Sequence, residues 1–170
     1  MDGALTMMYN IRKTIRNKAF LFLDQEELKN NSGFKSPKFE MLMKSTGWQK
    51  GQAWCAFFVE LVWQQADLDT ELFSGSVVKT WENFHKMLGR TQTLNAEVGD
   101  IVIWQTYRNG KPRWTGHTGV VVGIDRGKLI TVEGNTNNDG SREGIEVALK
   151  VRPLNYNTNN GLRLIGFIKP

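Results

Sequence analysis

The sequence predicts an α+β fold in which N-terminal helices pack on a C-terminal antiparallel β-sheet. In the first half, apolar residues recur at spacings of three and four, which is typical of amphipathic helices. The second half consists of short runs rich in β-branched residues, separated by Gly, Asn and Asp. Helices followed by strands indicate helices on one face of the sheet, and no low-complexity linker interrupts the 170 residues. We therefore predict one domain over residues 1–170.

Four helices are predicted in the first half. The first spans about 11–30, and the second begins at Ser36, where an N-cap serine precedes a proline, and ends near Lys44. A third helix begins near Cys55, because apolar residues follow it at helical spacing as far as Ala66. The fourth spans about 76–88 and ends at a glycine.

Five strands are predicted in the second half. They cover 99–105, 117–125, 128–134, 145–152 and 162–169. The turn "DRGK" (125–128) closes a hairpin between two of these strands, and the short connections predict antiparallel pairing. The segment "NGKPRWTG" (109–116) is predicted to be a loop that precedes the strand beginning at His117.

Composition narrows the classes of partner and site. The net charge of +5 and the pI of about 9.4 favour anionic partners such as the bacterial cell wall, but the basic residues are too dispersed to predict nucleic-acid binding. One cysteine excludes an internal disulfide and a Cys-rich metal site, and two histidines leave little scope for zinc. No apolar run is long enough for a transmembrane segment, and "AFLFL" (19–23) is too short for a signal peptide. We expect synthesis in the cytoplasm and action on the wall after release or delivery.

The candidate chemistry centres on Cys55. A thiolate is the reactive form of cysteine, and the N-terminus of a helix favours negative charge. A cysteine nucleophile needs a base, for which His117 is the candidate, and the base needs an orienting acceptor. Glu133 and Asn135, two apart in the following strand, would point to the same face beside His117.

An oxyanion hole would require donors near the nucleophile. The backbone N–H of Cys55 is the first candidate, and the side chain of Gln49 or Gln52 is the second. Both glutamines lie shortly before the cysteine, and the sequence leaves the choice between them open.

These motifs together resemble one enzyme family. The runs "WCAFFVELVW", "GDIVIW", "GHTGVVVG" and "EGNT", in this order and spacing, resemble the CHAP family of cysteine, histidine-dependent amidohydrolases/peptidases over about residues 19–170. The resemblance implies a papain-like fold with Cys55 as nucleophile and His117 as base. It implies that Glu133 orients and polarises His117, with Asn135 as an auxiliary polar residue.

The same resemblance implies a reaction class. The protein is expected to cleave an amide bond of bacterial peptidoglycan, either as an N-acetylmuramoyl-L-alanine amidase or as a stem-peptide or cross-bridge endopeptidase. The run "EGNTNNDGSREG" is similar to phage-type and prophage-type members. A papain-like acyltransferase or deamidase acting on protein, and an inactive wall-binding module, are the alternative functions. A holin for release and a cognate immunity protein are the partners that a phage lysin and a delivered effector, respectively, would need.

Two further features complete the sequence-based expectations. Trp48, Trp54 and Trp114 flank the cysteine and histidine motifs and are candidates to line a substrate groove. The segment from Asn135 to Glu146 approximates a calcium-binding loop, but it begins with Asn instead of Asp and its flanks predict strands. We therefore expect a hairpin loop there and no metal or other cofactor.

Overall fold

The computed structural model describes residues 2–136 and 144–170 and has the predicted α+β architecture. Its helices are α1 (Gly3–Leu21), α2 (Pro37–Ser45), α3 (Cys55–Gln65) and α4 (Val77–His85), with a 3₁₀ turn at Lys29–Asn31. Its strands are β1 (Thr91–Gln92), β2 (Ile101–Arg108), β3 (Lys111–Asp125), β4 (Lys128–Thr136), β5 (Glu146–Arg152) and β6 (Gly161–Ile168). Within the described residues, no helix combines the length and the apolar character that crossing a membrane requires.

All strand pairs of the sheet are antiparallel, as predicted. The order is β1-β6-β2-β3-β4-β5, so the last strand returns to pair with β2 instead of extending the edge at β5. The predicted β3–β4 hairpin is present: Asp125 pairs with Lys128, and Arg126 and Gly127 both have positive φ. This backbone geometry is favoured in two-residue hairpin turns, because it matches the twist of the strands.

The predicted loop before His117 is instead the first half of β3. Asn109 and Gly110 have φ values of 52° and 71°, which allow a two-residue turn, and Pro112 pairs with Tyr107. The prediction was wrong because the prolines and glycines of this segment suggested a loop, whereas Asn-Gly is itself a hairpin signal. His117 therefore lies inside a strand and not at its start.

The first helix also differs from its prediction. It begins at Gly3 and ends at Leu21, whereas the apolar spacing predicted a helix over 11–30. Residues 2–10 are exposed, and their apolar residues, such as Leu5 and Met7, extend the helix without packing into the core. After the helix, Glu26 forms a β-bridge with Glu146 and Glu27 forms one with Phe34, which draws this segment to the edge of the sheet.

Helices α2 and α4 begin as the sequence predicted. The Ser36 hydroxyl accepts a hydrogen bond from Phe39 N at 3.2 Å, and the Ser76 hydroxyl accepts one from Lys79 N at 3.3 Å. Each serine satisfies a backbone donor of the first helical turn. Helix α4 ends at His85, three residues before the predicted Leu88.

The core lies on both faces of the sheet. The larger cluster lies between the helices and the sheet, and eight of the eleven residues of α3 are buried in it. A smaller cluster covers the opposite face and includes Trp104 and Phe167. Helix α3 is thus held against the sheet along most of its length, which leaves its first residue at a fixed position.

Candidate active site

Cys55 is the first residue of α3, at a helix terminus without a side-chain cap. Asp2, Ser36 and Ser76 cap the other three α-helices, whereas the N-cap residue of α3 is Trp54, which makes no capping hydrogen bond. The first N–H groups of a helix have no intrahelical acceptor. The start of α3 therefore presents backbone donors, including Cys55 N–H, beside the Cys55 thiol.

The residues around Trp54 hold this helix start rigidly. The Trp54 indole N–H donates to Glu27 Oε2 at 2.8 Å, and both side chains are buried. A Cβ on Gly134 would lie 2.7 Å from Trp54 Cζ3 and from Phe58 Cβ, so only glycine allows β4 to approach α3 this closely. The Gly134 position thus brings the strand carrying Glu133 against the helix carrying Cys55.

His117 contacts both the predicted nucleophile and the predicted orienting residue. Its Nε2 lies 2.7 Å from Glu133 Oε2, and Cys55 lies next to the same ring, close enough to raise the pKa of His117. An ionised carboxylate can only accept, so Nε2 must carry a proton, and Nδ1 is the nitrogen that remains for the thiol. The structure therefore brings Cys55, His117 and Glu133 together in the order that nucleophilic catalysis requires.

Glu133 is fully buried and each of its oxygens accepts two hydrogen bonds. Oε1 accepts from Thr131 Oγ1 at 2.7 Å and from Arg152 Nε at 2.8 Å. Oε2 accepts from Arg152 Nη2 at 2.6 Å and from His117 Nε2 at 2.7 Å. Such a two-pronged arginine–carboxylate contact fixes the plane of the carboxylate and compensates for its burial.

The buried charges shift the pKa values of both residues. Burial acts to lower the pKa of His117, but the charge of Glu133 and hydrogen bonds with Cys55 and Glu133 outweigh it and raise that pKa to about 9. Burial acts to raise the pKa of Glu133, but hydrogen bonds from Arg152 and the charge of His117 lower it to about 2. At neutral pH the site therefore holds an imidazolium next to a carboxylate.

Gly119 provides the space that Glu133 occupies. A Cβ at this position would lie 2.6 Å from Glu133 Cγ. Gly119 belongs to the run "GHTGVVVG", two residues after His117. The motif thus supplies the base and also the gap in β3 that lets the carboxylate reach it.

Arg152 and Trp104 also belong to this site, and the sequence reasoning did not assign either of them to it. The Trp104 ring stacks on the His117 ring with centroids 5.9 Å apart, and the Arg152 guanidinium lies over Trp104 at 5.5 Å. Alternation of apolar and polar residues along β5 would place the apolar residues in the core and Arg152 in solvent. The structure has the opposite arrangement: Leu149 and Val151 are exposed and Arg152 is partly buried. Trp104 ends the run "GDIVIW", and the register of β2 against β3 in the structure shows that it lies opposite His117.

Asn135, the fourth predicted catalytic residue, does not lie on the shared face that the sequence predicted. Asn135 is buried on β4, but its φ of 53° and the irregular register between Glu133 and Thr136 break the alternation on which the predicted shared face depended. His117 Nε2 donates its hydrogen bond to Glu133 Oε2 and not to Asn135. Asn135 as an auxiliary polar residue stays a prediction.

The two glutamines differ in what their side chains do. Gln52 Oε1 accepts a hydrogen bond from Gln49 N at 2.8 Å and so stabilises the loop before α3. Both residues are exposed, and the Gln49 side chain makes no hydrogen bond within residues 2–136 and 144–170. The Gln49 side-chain amide is thus not engaged within the described residues, and the choice of Gln49 over Gln52 as oxyanion donor stays a prediction.

The tryptophans predicted to line a groove do not form one surface. Trp48 and Trp54 are 1% and 0% exposed and pack against Phe34 in the core, so their assignment to a groove was wrong. Their clustering near Cys55 reflects the packing of the helix start. Trp114 is 78% exposed and remains a candidate for contact with substrate.

The calcium-loop alternative cannot be placed on the structure. Asn137, Asp139 and Gly140, which would supply its central positions, lie outside the described residues. Within the described residues, His, Cys, Asp and Glu form no group of three or more that could hold a metal ion.

Comparison with known proteins gives one result that bears on this site. The model of a family described as the CHAP domain matches residues 47–135, slightly more than half of the chain. The match extends from the loop before α3 to the residue after Gly134, and so includes Cys55, His117 and Glu133. Neither the curated proteins nor the solved structures give a match.

Proposed function

The chain belongs to the CHAP domain family, and we propose that it is a peptidoglycan hydrolase that cleaves an amide bond through an acyl-enzyme on Cys55. CHAP domains are generally cysteine- and histidine-dependent amidohydrolases, which supports peptidoglycan as the substrate. The observation that carries the proposal is the contact chain Cys55–His117–Glu133, with the cysteine at an uncapped helix start.

In the first half of the proposed reaction, His117 is the imidazolium and Cys55 reacts as its thiolate, the Cys55 proton having passed to His117 Nδ1. The thiolate then attacks the carbonyl carbon of the scissile amide, and the carbonyl oxygen becomes an oxyanion. In this proposal the N–H groups at the uncapped start of α3 donate to the oxyanion, and the Gln49 side chain is the second donor. Glu133 holds the imidazolium in place through Nε2.

In the second half, the imidazolium gives its proton to the leaving nitrogen, and the C–N bond breaks. The acyl group stays on Cys55 as a thioester while the amine departs. A water molecule gives one proton to His117 and attacks the thioester, and the C–S bond breaks. Cys55 leaves as its thiolate beside the imidazolium, and the product departs as a carboxylic acid that loses its proton to solvent. The raised pKa of His117 favours its charged form at neutral pH, which is the form that protonates the amine.

The test is hydrolysis of purified sacculi by the wild-type protein and by Cys55→Ala. We expect turbidity loss with the wild type and a reduction of at least about 10³-fold in the variant, because the nucleophile is absent. Circular dichroism would verify that Cys55→Ala is folded. Equal activity of the two proteins would overturn the proposal.

Mass spectrometry of the released fragments would identify the bond. Muramoyl-L-alanine amidase action frees the N-terminus of the stem peptide, whereas endopeptidase action frees an amine within the stem or cross-bridge. Repeating the digestion with an added amine acceptor separates hydrolysis from acyl transfer, since transfer would add the mass of the acceptor to the acyl product.

A further inference from the structure

A polar cleft lies beside the β2–β3 hairpin, on the N-terminal side of His117 along β3. The residues that form this hairpin cleft include Thr106, Arg108, Arg113, Thr115, Asn155 and Asn160, around a volume of about 730 Å³. Thr115 is two residues before His117, which is about 7 Å along a strand. A substrate bound at Cys55 could therefore extend into the cleft.

A bulge in β3 shapes this cleft. Gln105 pairs with Gly116 and Tyr107 pairs with Pro112, so Thr106 alone faces three residues of β3, Arg113, Trp114 and Thr115. The Gln105 side chain donates to Arg113 O at 2.7 Å and holds the bulge in place. Bulges next to active sites commonly redirect side chains, and here Arg113 and Thr115 line the cleft while Trp114 is exposed.

The loop before β6 forms the other wall and is also held in place. Asn109 N donates to Asn160 Oδ1 at 2.9 Å, and Gly110 N donates to Asn159 O at 3.0 Å. The Arg163 side chain donates to Thr158 O at 2.8 Å. The hairpin tip and this loop are thus tied together, so the cleft is a built feature of the fold.

The charge of the cleft is positive. Arg108 and Arg113 are exposed, and neither guanidinium forms an ion pair within the part of the chain that the structure describes. The Arg163 guanidinium stacks on Tyr107 at 3.6 Å, at the same cleft. The described lining residues include no aspartate or glutamate, whereas hydroxyl and amide groups supply further donors.

We propose that the hairpin cleft binds an oxyanion of the cell-wall substrate, either a peptide carboxylate or a phosphate, through Arg108 and Arg113. Two guanidinium groups that form no ion pair with the described residues, beside hydroxyl and amide donors, suit a charged group with several acceptor oxygens. This inference rests on the proposed function for the identity of the substrate. It extends that function by assigning a binding subsite on the histidine side of the reacting bond.

An NMR titration tests the subsite without requiring turnover. The probes are inorganic phosphate, N-acetyl-D-alanyl-D-alanine and the C-terminal amide of that dipeptide, with the backbone amides of Thr106 and Thr115 as reporters. We expect saturable shifts with phosphate or with the free dipeptide, and none with the amide. The shifts should be lost in the double variant Arg108→Gln/Arg113→Gln and kept in Arg126→Gln, which removes an equally exposed arginine at the β3–β4 turn.

Kinetic assays of the double variant on chemically treated sacculi identify the source of the oxyanion. On sacculi stripped of phosphate polymers by hydrofluoric acid, a carboxylate subsite predicts a KM about tenfold or more higher in the double variant, with little change in kcat. The difference should then vanish on sacculi whose carboxylates have been amidated. A difference confined to unstripped walls would assign the subsite to phosphate.

The proposal is overturned if neither phosphate nor the free dipeptide shifts Thr106 and Thr115, or if the double variant keeps those shifts. Because the titration measures binding alone, an inactive protein that still binds the probes would contradict the proposed function and not the subsite. Arg108 and Arg113 are exposed, so the substitutions should leave the fold intact.

Discussion

Two fully buried carboxylates, Glu133 and Asp100, stand in similar surroundings but differ in what their partners can do. Asp100 Oδ1 accepts from Arg12 at 2.7 Å and its Oδ2 accepts from Lys169 at 2.6 Å, which ties α1 and the end of β6 to the start of β2. Glu133 likewise has two cationic partners, Arg152 and His117. Both clusters place a buried carboxylate between two cations, and in the Asp100 cluster the exposed Glu97 carboxylate also pairs with Arg12 and Lys169.

The difference lies in the histidine. The partners of Asp100 are an arginine and a lysine, whereas Glu133 has one partner that titrates and that also contacts Cys55. A buried, neutralised carboxylate is therefore not a sign of a reactive site in this protein. The sign is a carboxylate whose cation is hydrogen-bonded to a nucleophile.

Substitution of each carboxylate by its amide should separate the two roles. Glu133→Gln should lower kcat/KM by about 10³-fold, because the amide no longer stabilises the imidazolium. Asp100→Asn should leave kcat/KM within about threefold while destabilising the fold by about 3 kcal/mol, because Arg12 and Lys169 then have only the exposed Glu97 carboxylate as a counter-charge. Activity on sacculi and urea denaturation would measure the two effects. An Asp100→Asn protein that is folded but as inactive as Glu133→Gln would remove the distinction.

Arg152 should act on the reaction only through Glu133. Arg152→Gln should lower kcat/KM by about 10²-fold and move the acid limb of its pH profile to higher pH, because hydrogen bonds from Arg152 lower the pKa of Glu133. Arg152→Lys should give a smaller loss, since lysine keeps the charge without the two-pronged contact. The measurement is the pH dependence of kcat/KM, with added guanidinium as a rescue agent for Arg152→Gln. An unchanged acid limb would mean that Arg152 has a structural role only.

The stability of the fold should depend on pH through His117. Its pKa rises from an ordinary value of 6.5 to about 9 on folding. The protonated histidine therefore contributes fully to the free energy of unfolding below pH 6.5, and this contribution is lost as the pH rises through 9. Between pH 6 and pH 9.5 the wild type should lose about 3 kcal/mol more unfolding free energy than His117→Gln, which has no such proton to lose. Denaturant titrations at the two pH values provide the comparison. Parallel losses in the two proteins would contradict the assignment.

The smallest expected effect concerns the glycines of β3. Gly119→Ala should lower kcat/KM about tenfold, because its Cβ would lie 2.6 Å from Glu133 Cγ and displace the carboxylate. Gly123→Ala is the matched control on the same strand, since its Cβ would lie 3.3 Å from the Ile130 Cδ1 atom, away from the site. Steady-state kinetics on sacculi measure both variants, and equal losses would show that β3 as a whole tolerates no added methyl group.

The sequence by itself determined the fold class and most of the site. Apolar spacing and capping signals located α2, α3 and α4 but only the second half of α1. The β-branched runs located the long strands except the first half of β3. The position of Cys55 at a helix start followed from the same spacing. The motif "EGN" placed the predicted orienter, Glu133, on the strand after the base, and the structure puts that carboxylate on His117.

Only the tertiary structure decided which polar groups meet and which aromatic residues are hidden. Arg152 lies on β5 and donates to Glu133 on β4. The apolar residues beside it on β5 are exposed, so alternation along that strand would have predicted an exposed Arg152. Trp48 and Trp54 belong to the core and Trp114 to the surface, although all three flank the same motifs. Burial and the contacts between distant strands depend on how the elements pack against each other. Residue spacing along one strand or helix does not determine that packing.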